Sequence, residues 1–147
     1  FTSSIWRPRI MASILKVDTI TGVATAGSIS VTGEGNSTTT NLQQGLAKAW
    51  NNMNGTGTIA TRDSFNIASI TDVGTGEYKH TLSNAMSTAD NYSLSGFARV
   101  SASAGFFGGT NDTTFTSTII HHATFNASAA TQADALYVTI DVHGDLA

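Results

Sequence analysis

Residues 62–82 read RDSFNIASITDVGTGEYKHTL, and the way this stretch folds back on itself decides the fold class. Phe65 and Ile67 share one side, with Ser64 and Asn66 around them, the two-residue repeat of a strand with one dry and one wet face. The segment Asp72-Val73-Gly74-Thr75-Gly76 predicts a tight turn, because its glycines can take positive φ without a Cβ clash. Beyond it the chain returns with Tyr78, His80 and Leu82 on one side. The parity slips at 68–70, which predicts a bulge or a strand end there. A third run at 92–100 puts Tyr92, Leu94, Ala98 and Val100 on one face. Together the three runs predict an antiparallel meander.

Further along, residues 101–112 read as a Gly/Ser/Ala/Asn loop carrying two adjacent aromatics, Phe106 and Phe107. Phe115, Ser117, Ile119, His121, Ala123 and Phe125 would then share one face of a long strand, followed by a polar loop at 126–134. The run 136–142 alternates cleanly and gives the surest strand, with Val138 and Ile140 on its apolar side and Tyr137 and Thr139 opposite. Six or so strands with turns between them imply an all-β fold, a small antiparallel sandwich or barrel.

Upstream, residues 1–35 have the character of an extended arm. Met11-Ala12-Ser13 reads as a natural start, and Trp6 suits packing on a neighbour. Glycines at 22, 27, 33 and 35 cut the arm into very short strands. Each piece offers two or three apolar side chains. Burying one Val or Ile contributes roughly 1.5–3 kcal/mol, too little against the entropy of ordering the backbone. Ile29 and Val31 are therefore expected to need partners from another chain. Residues 36–46 form a polar linker with a short helical turn at 41–45, and 47–147 the β-domain. Leu42, Leu46, Ala49, Trp50 and Met53 also fit a helical stripe, so the residues alone leave helix and strand open over 42–53.

Composition narrows the function. The chain has 147 residues, seven Lys and Arg against ten Asp and Glu, and a formal net charge of −3. Charge this sparse and slightly negative argues against a nucleic-acid surface, which needs clustered cations to neutralise phosphates. Scarce charge with abundant Thr, Ser and Ala marks a β protein rather than a disordered chain. With no cysteine there is neither a disulfide frame nor a thiolate metal site. No run approaches membrane-spanning length, so membrane insertion is not expected.

No Gly-x-Ser-x-Gly elbow surrounds a serine, and the glycine clusters lack a P-loop ending. The acidic residues Asp63, Asp72, Glu77, Asp90, Asp112, Asp134 and Asp141 fall mostly at turns or wet strand positions, with no pair set across a groove for glycoside hydrolysis. Of the four histidines, His121 and His122 are neighbours in a strand and point to opposite faces, so they cannot share one ion. Core or cross-strand histidines are the better reading of these, His80 and His143. No enzyme, cofactor or metal site is expected. Phe106, Phe107 and Tyr137 could stack on a sugar or fill subunit contacts.

One stretch also carries a family resemblance. Ala47-Lys48-Ala49-Trp50, then residues 54–67 (NGTGTIATRDSFNI), Ser69-Ile70-Thr71-Asp72, Gly74-Thr75-Gly76-Glu77-Tyr78 and Asn84-Ala85-Met86 resemble a segment recurrent in virion proteins of marine bacteriophages. The closing Val142-His143-Gly144-Asp145 resembles that family's last strand. The resemblance implies a strand from about Ala47 to Asn54. It also implies a tail-fibre-like structural protein of the virion, assembled in the host cytoplasm. The expected roles are a short fibre or fibre tip, homotrimeric, anchored to other virion proteins through the arm (Trp6, Ile29, Val31). It would contact a host-surface glycan or protein through the loop bearing Phe106, Phe107 and Asn111. A capsid decoration protein is the alternative, and a glycan-cleaving virion enzyme the third.

Overall fold

The computed structural model describes residues 14–23, 29–33, 38–100, 103–109 and 115–147. In chain order the elements are β1 (Ser30–Thr32), β2 (Thr39–Asn41), the helical turn α1 (Leu42–Gly45), β3 (Ala47–Asn54), β4 (Ala60–Phe65), β5 (Ile67–Gly74) and β6 (Glu77–Leu82). They continue with β7 (Tyr92–Val100), β8 (Ser103–Gly108), β9 (Ile119–Asn126), β10 (Thr131–Gln132) and β11 (Tyr137–Gly144). The fold is all-β, as its alternation requires. β1 and β2 form a two-stranded ladder, and the other strands make one antiparallel, nearly closed barrel-like sheet ordered β4-β3-β11-β7-β8-β9-β6-β5, with β10 beside β9.

The inward positions follow the expected parity on β6, β7 and β11 but not on β9, where Ile120 and His122, not the expected Ile119, His121, Ala123 and Phe125, face the interior, and where His121 and Ala123 are buried as well. Tyr78, His80 and Leu82 of β6, Ala98 of β7, and Val138, Ile140 and Val142 of β11 are all buried. Two apolar clusters fill the ends of the interior. One joins Ala49, Leu82, Met86, Ile120 and Val142; the other joins Met53, Tyr78, Ala98, Ala135 and Val138. The positions between them on the same strands are Asn51 on β3, His80 on β6, His122 on β9 and Ile140 on β11. The barrel is thus apolar at both ends and part polar across its middle.

Several turns confirm the local chemistry. Gly76 closes the β5–β6 hairpin at φ +69, and a Cβ there would stand 2.6 Å from both Ala133 N and Thr124 O. No non-glycine residue could hold that position without moving backbone. The expected parity slip is real: the β5–β6 register shifts between Ile67 and Ser69. The helical turn α1 begins at Asn41, whose side chain accepts from Gln44 N at 3.2 Å, the N-cap role expected of Asn.

Four expectations are corrected. Residues 62–100 are not a meander, because β6 pairs with β5 and β9 while β7 pairs with β11 and β8. The run 62–72 is not one strand: it breaks at Asn66, which takes φ 58. Asn tolerates that left-handed conformation, and its amide fixes the corner. Nδ2 donates to Lys48 O (2.9 Å) and Asn84 O (3.0 Å), and Oδ1 accepts from Asn84 N (2.7 Å). The strand expected from Phe115 starts only at Ile119, because the Thr116 hydroxyl accepts from Thr118 N and Ile119 N and closes a turn there. Finally, part of the expected linker is β2, and its ladder with β1 places Val31 opposite Thr40.

Candidate functional site

The outward face of β4, β3, β11 and β7 concentrates the exposed rings of the barrel. Ladder register sets it out in rows. Tyr137 lies opposite Arg99, Thr139 opposite Phe97, and Asp141 opposite Ser95. On the other side of β11, Thr139 pairs with Asn52 and Asp141 with Trp50, which continue to Asp63 and Phe65 of β4. Phe97 is 57% exposed, Phe65 52% and Tyr137 40%. Three large rings on one wet face exceed the scattered apolar exposure normal for a surface.

A bulge builds the edge of this face. The β3–β4 register slips between Asn52 and Met53, so Arg62 is the extra residue of β4. Its guanidinium crosses the outer face and lies 4.5 Å from the centre of the Tyr137 ring. It is held there by donating to Leu136 O at 2.7 Å, to Asn52 Oδ1 at 3.3 Å and to Met53 O. Arg99 approaches the same ring at 5.7 Å. Two cations flank one exposed tyrosine. Among the described residues, no carboxylate forms an ion pair with either.

The interior holds a second unusual group. His80 and His122 stack at 5.0 Å between ring centres, Phe107 stacks on His122 at 4.8 Å, and Tyr78 lies 5.6 Å from it. His80 Nε2 is 3.4 Å from Asn51 Oδ1, while His80 Nδ1 and both ring nitrogens of His122 have no hydrogen-bond partner among the described residues. Burial lowers His80 to about 4. Burial, and then the neighbouring His80 and His121, hold His122 well below the usual histidine range. Both rings are therefore neutral at pH 7. His121 faces the other way, with Nε2 2.8 Å from Glu77 Oε1. Among the described residues no group of three or more His, Cys, Asp or Glu could hold a metal ion.

The residues expected to form a recognition loop are dispersed. Phe106 and Phe107 lie in β8, a strand paired with β7 and β9, not in a loop. Phe106 stacks face to face on Phe125 (4.9 Å, 7°) and stays 45% exposed, whereas Phe107 turns toward His122. Asn111 lies outside the described residues, as does Trp6. Of the arm contacts, Val31 is exposed and Ile29 half-buried, with Ile29 O accepting from Leu42 N at 2.8 Å. Tyr137 was among the rings expected to stack on a sugar or fill a subunit contact, and it is exposed here; the two arginines on its ring and Phe97 on the neighbouring row were not anticipated. The local signal for Phe97 is an aromatic on the wet parity of a strand whose dry side is Ala98 and Val100. Among the described residues no helix is long and apolar enough to cross a membrane. Compared with known proteins, the chain matches no family model, no curated protein and no solved structure.

Proposed function

We propose that this protein is a structural component of a bacteriophage virion, a short fibre or fibre tip anchored through its N-terminal arm and contacting the host surface with its barrel. The observation that carries the reading is the arm. Over residues 14–23, Ile14 (79% exposed), Leu15 (77%), Val17, Ile20 and Val23 (95%) leave their side chains in solvent. The only described ladder of the N-terminal region is the short one between β1 and β2. Apolar side chains in such density are stable in water only when another surface covers them. Sister subunits and neighbouring virion proteins would supply that cover, which fits the virion protein that the sequence resemblance implies. The barrel has its own core and does not depend on the arm for it.

Light scattering on the intact chain tests the anchoring half of this reading. The expected result is a homotrimer that becomes a monomer when residues 1–35 are removed, with the barrel's melting transition kept. An intact chain that is monomeric, yet still incorporates into particles after the same deletion, would show that the arm is neither an oligomerisation nor an anchoring device. Density found on the head rather than the tail would instead assign a capsid decoration protein, clipped on by the same arm.

A further inference from the structure

We infer that the outer face of β11 and β7 binds an acidic polysaccharide, with a sugar ring stacked on Phe97 and its carboxylate or sulfate held by Arg99. The inference rests on the host-contacting role proposed above and names the surface and the ligand class.

Charge selects the ligand. From residue 47 onward the Lys and Arg residues are Lys48, Arg62, Lys79 and Arg99. Lys48 is buried, with Nζ donating to Leu46 O at 3.0 Å and to Gln43 O. Lys79 sits on β6, in the other half of the sheet, opposite His121. The two arginines that remain converge on Tyr137, in a chain whose net charge is −3. Their roles differ. Arg62 is fixed by its bonds to Leu136 O and Asn52, and so acts as a rigid stacking wall for Tyr137. Arg99 is exposed and, among the described residues, its side chain makes no hydrogen bond; its planar fork can take an anion, and a guanidinium matches carboxylate and sulfate oxygens two at a time.

Ring placement selects a sugar rather than a bare ion. Phe97 and Arg99 are two residues apart on one face of β7, a separation of roughly 7 Å. That distance suits a pyranose lying on the phenyl ring with its anionic substituent on the guanidinium. The row of Phe97 continues through Thr139 and Asn52, which can exchange hydrogen bonds with sugar hydroxyls beside the stacked ring. Asp141 lies on β11 opposite Ser95 and Asp63 lies on β4, so anionic groups are admitted at the Arg99 end of β7 and repelled from its Ser95 end and from β4.

The test is calorimetric titration of the intact chain with alginate oligosaccharides, dextran sulfate and neutral dextran. Binding of alginate or dextran sulfate, weakened by salt, is expected, with neutral dextran silent; which of the two binds identifies carboxylate or sulfate as the anion. Arg99→Gln and Phe97→Ala should each weaken binding at least about tenfold with an unchanged melting temperature. Lys79→Gln should leave it intact. No binding of either acidic glycan, equal binding of neutral dextran, or an equal loss from Lys79→Gln would overturn the inference. So would dissociation of an oligomer by Phe97→Ala, since the face would then be a subunit contact. These titrations use isolated protein, so their failure is separate from any failure to find the chain on virions.

Discussion

Acidification should loosen the barrel from inside, through His80 and His122. Both rings are buried, and burial disfavours the imidazolium, lowering His80 to about 4 and His122 well below the usual range. In the unfolded chain both return to about 6.5. The unfolded state therefore binds more protons between these values, and stability rises with pH across the window. The contribution is fully present above pH 6.5 and is lost as pH falls toward the folded value. For His80 alone the loss from pH 7 to pH 5 is about 2 kcal/mol, and about 3 kcal/mol by pH 4. His122 acts in the same direction. Against a typical domain stability of about 5–15 kcal/mol that is a large fraction. Urea titrations at pH 7, 6 and 5 measure it above the range where most carboxylates titrate. His80→Gln should flatten the profile by about 2 kcal/mol over that interval. A wild-type stability constant from pH 7 to 5, or the same slope in the variant, would refute the reasoning.

Three further outcomes follow from the packing. Val138→Ala and Ile140→Ala should each lose roughly 1–4 kcal/mol, and Tyr137→Ala and Thr139→Ala less, in thermal melts; equal losses at all four would mean both faces of β11 are covered. Gly76→Ala should cost about 2 kcal/mol or more in denaturant midpoint, because φ is +69 and backbone stands 2.6 Å from the new Cβ; an unchanged midpoint would contradict the hairpin geometry. Asn66→Ala should cost about 1–3 kcal/mol, with Asn66→Gly recovering the part due to positive φ but not the lost amide bonds; identical melts for the two would remove backbone strain from the account.

Strand faces were legible in the sequence for β6, β7 and β11 but not for β9, whose residues 120–124 are buried on both sides and so carry no wet parity; strand neighbours were not legible. The alternation of Val138, Ile140 and Val142 reports which side of β11 is dry, since parity is a local property. It says nothing of β11 lying between β3 and β7, or of β6 lying beside β9, because those pairings join residues far apart in the chain. Glycine misled the reading of β8. Gly96 is there because a Cβ would meet the Phe107 ring at 2.5 Å, and Gly105 because Ala98 O would stand 3.0 Å away. Close packing, not a turn, explains those residues. The face around Tyr137 needed the register as well. Arg62 and Arg99 meet at Tyr137 only once β4, β7 and β11 are aligned and the bulge at Arg62 is in place.

If this chain is a virion part that presents its barrel outward, electron microscopy of intact phage particles, labelled with gold-conjugated antibody against the barrel, should show label on tail fibres or their tips, and loss of that label from particles carrying the chain without residues 1–35. Particles that carry no label, with the protein recovered only free in the lysate, would contradict that reading.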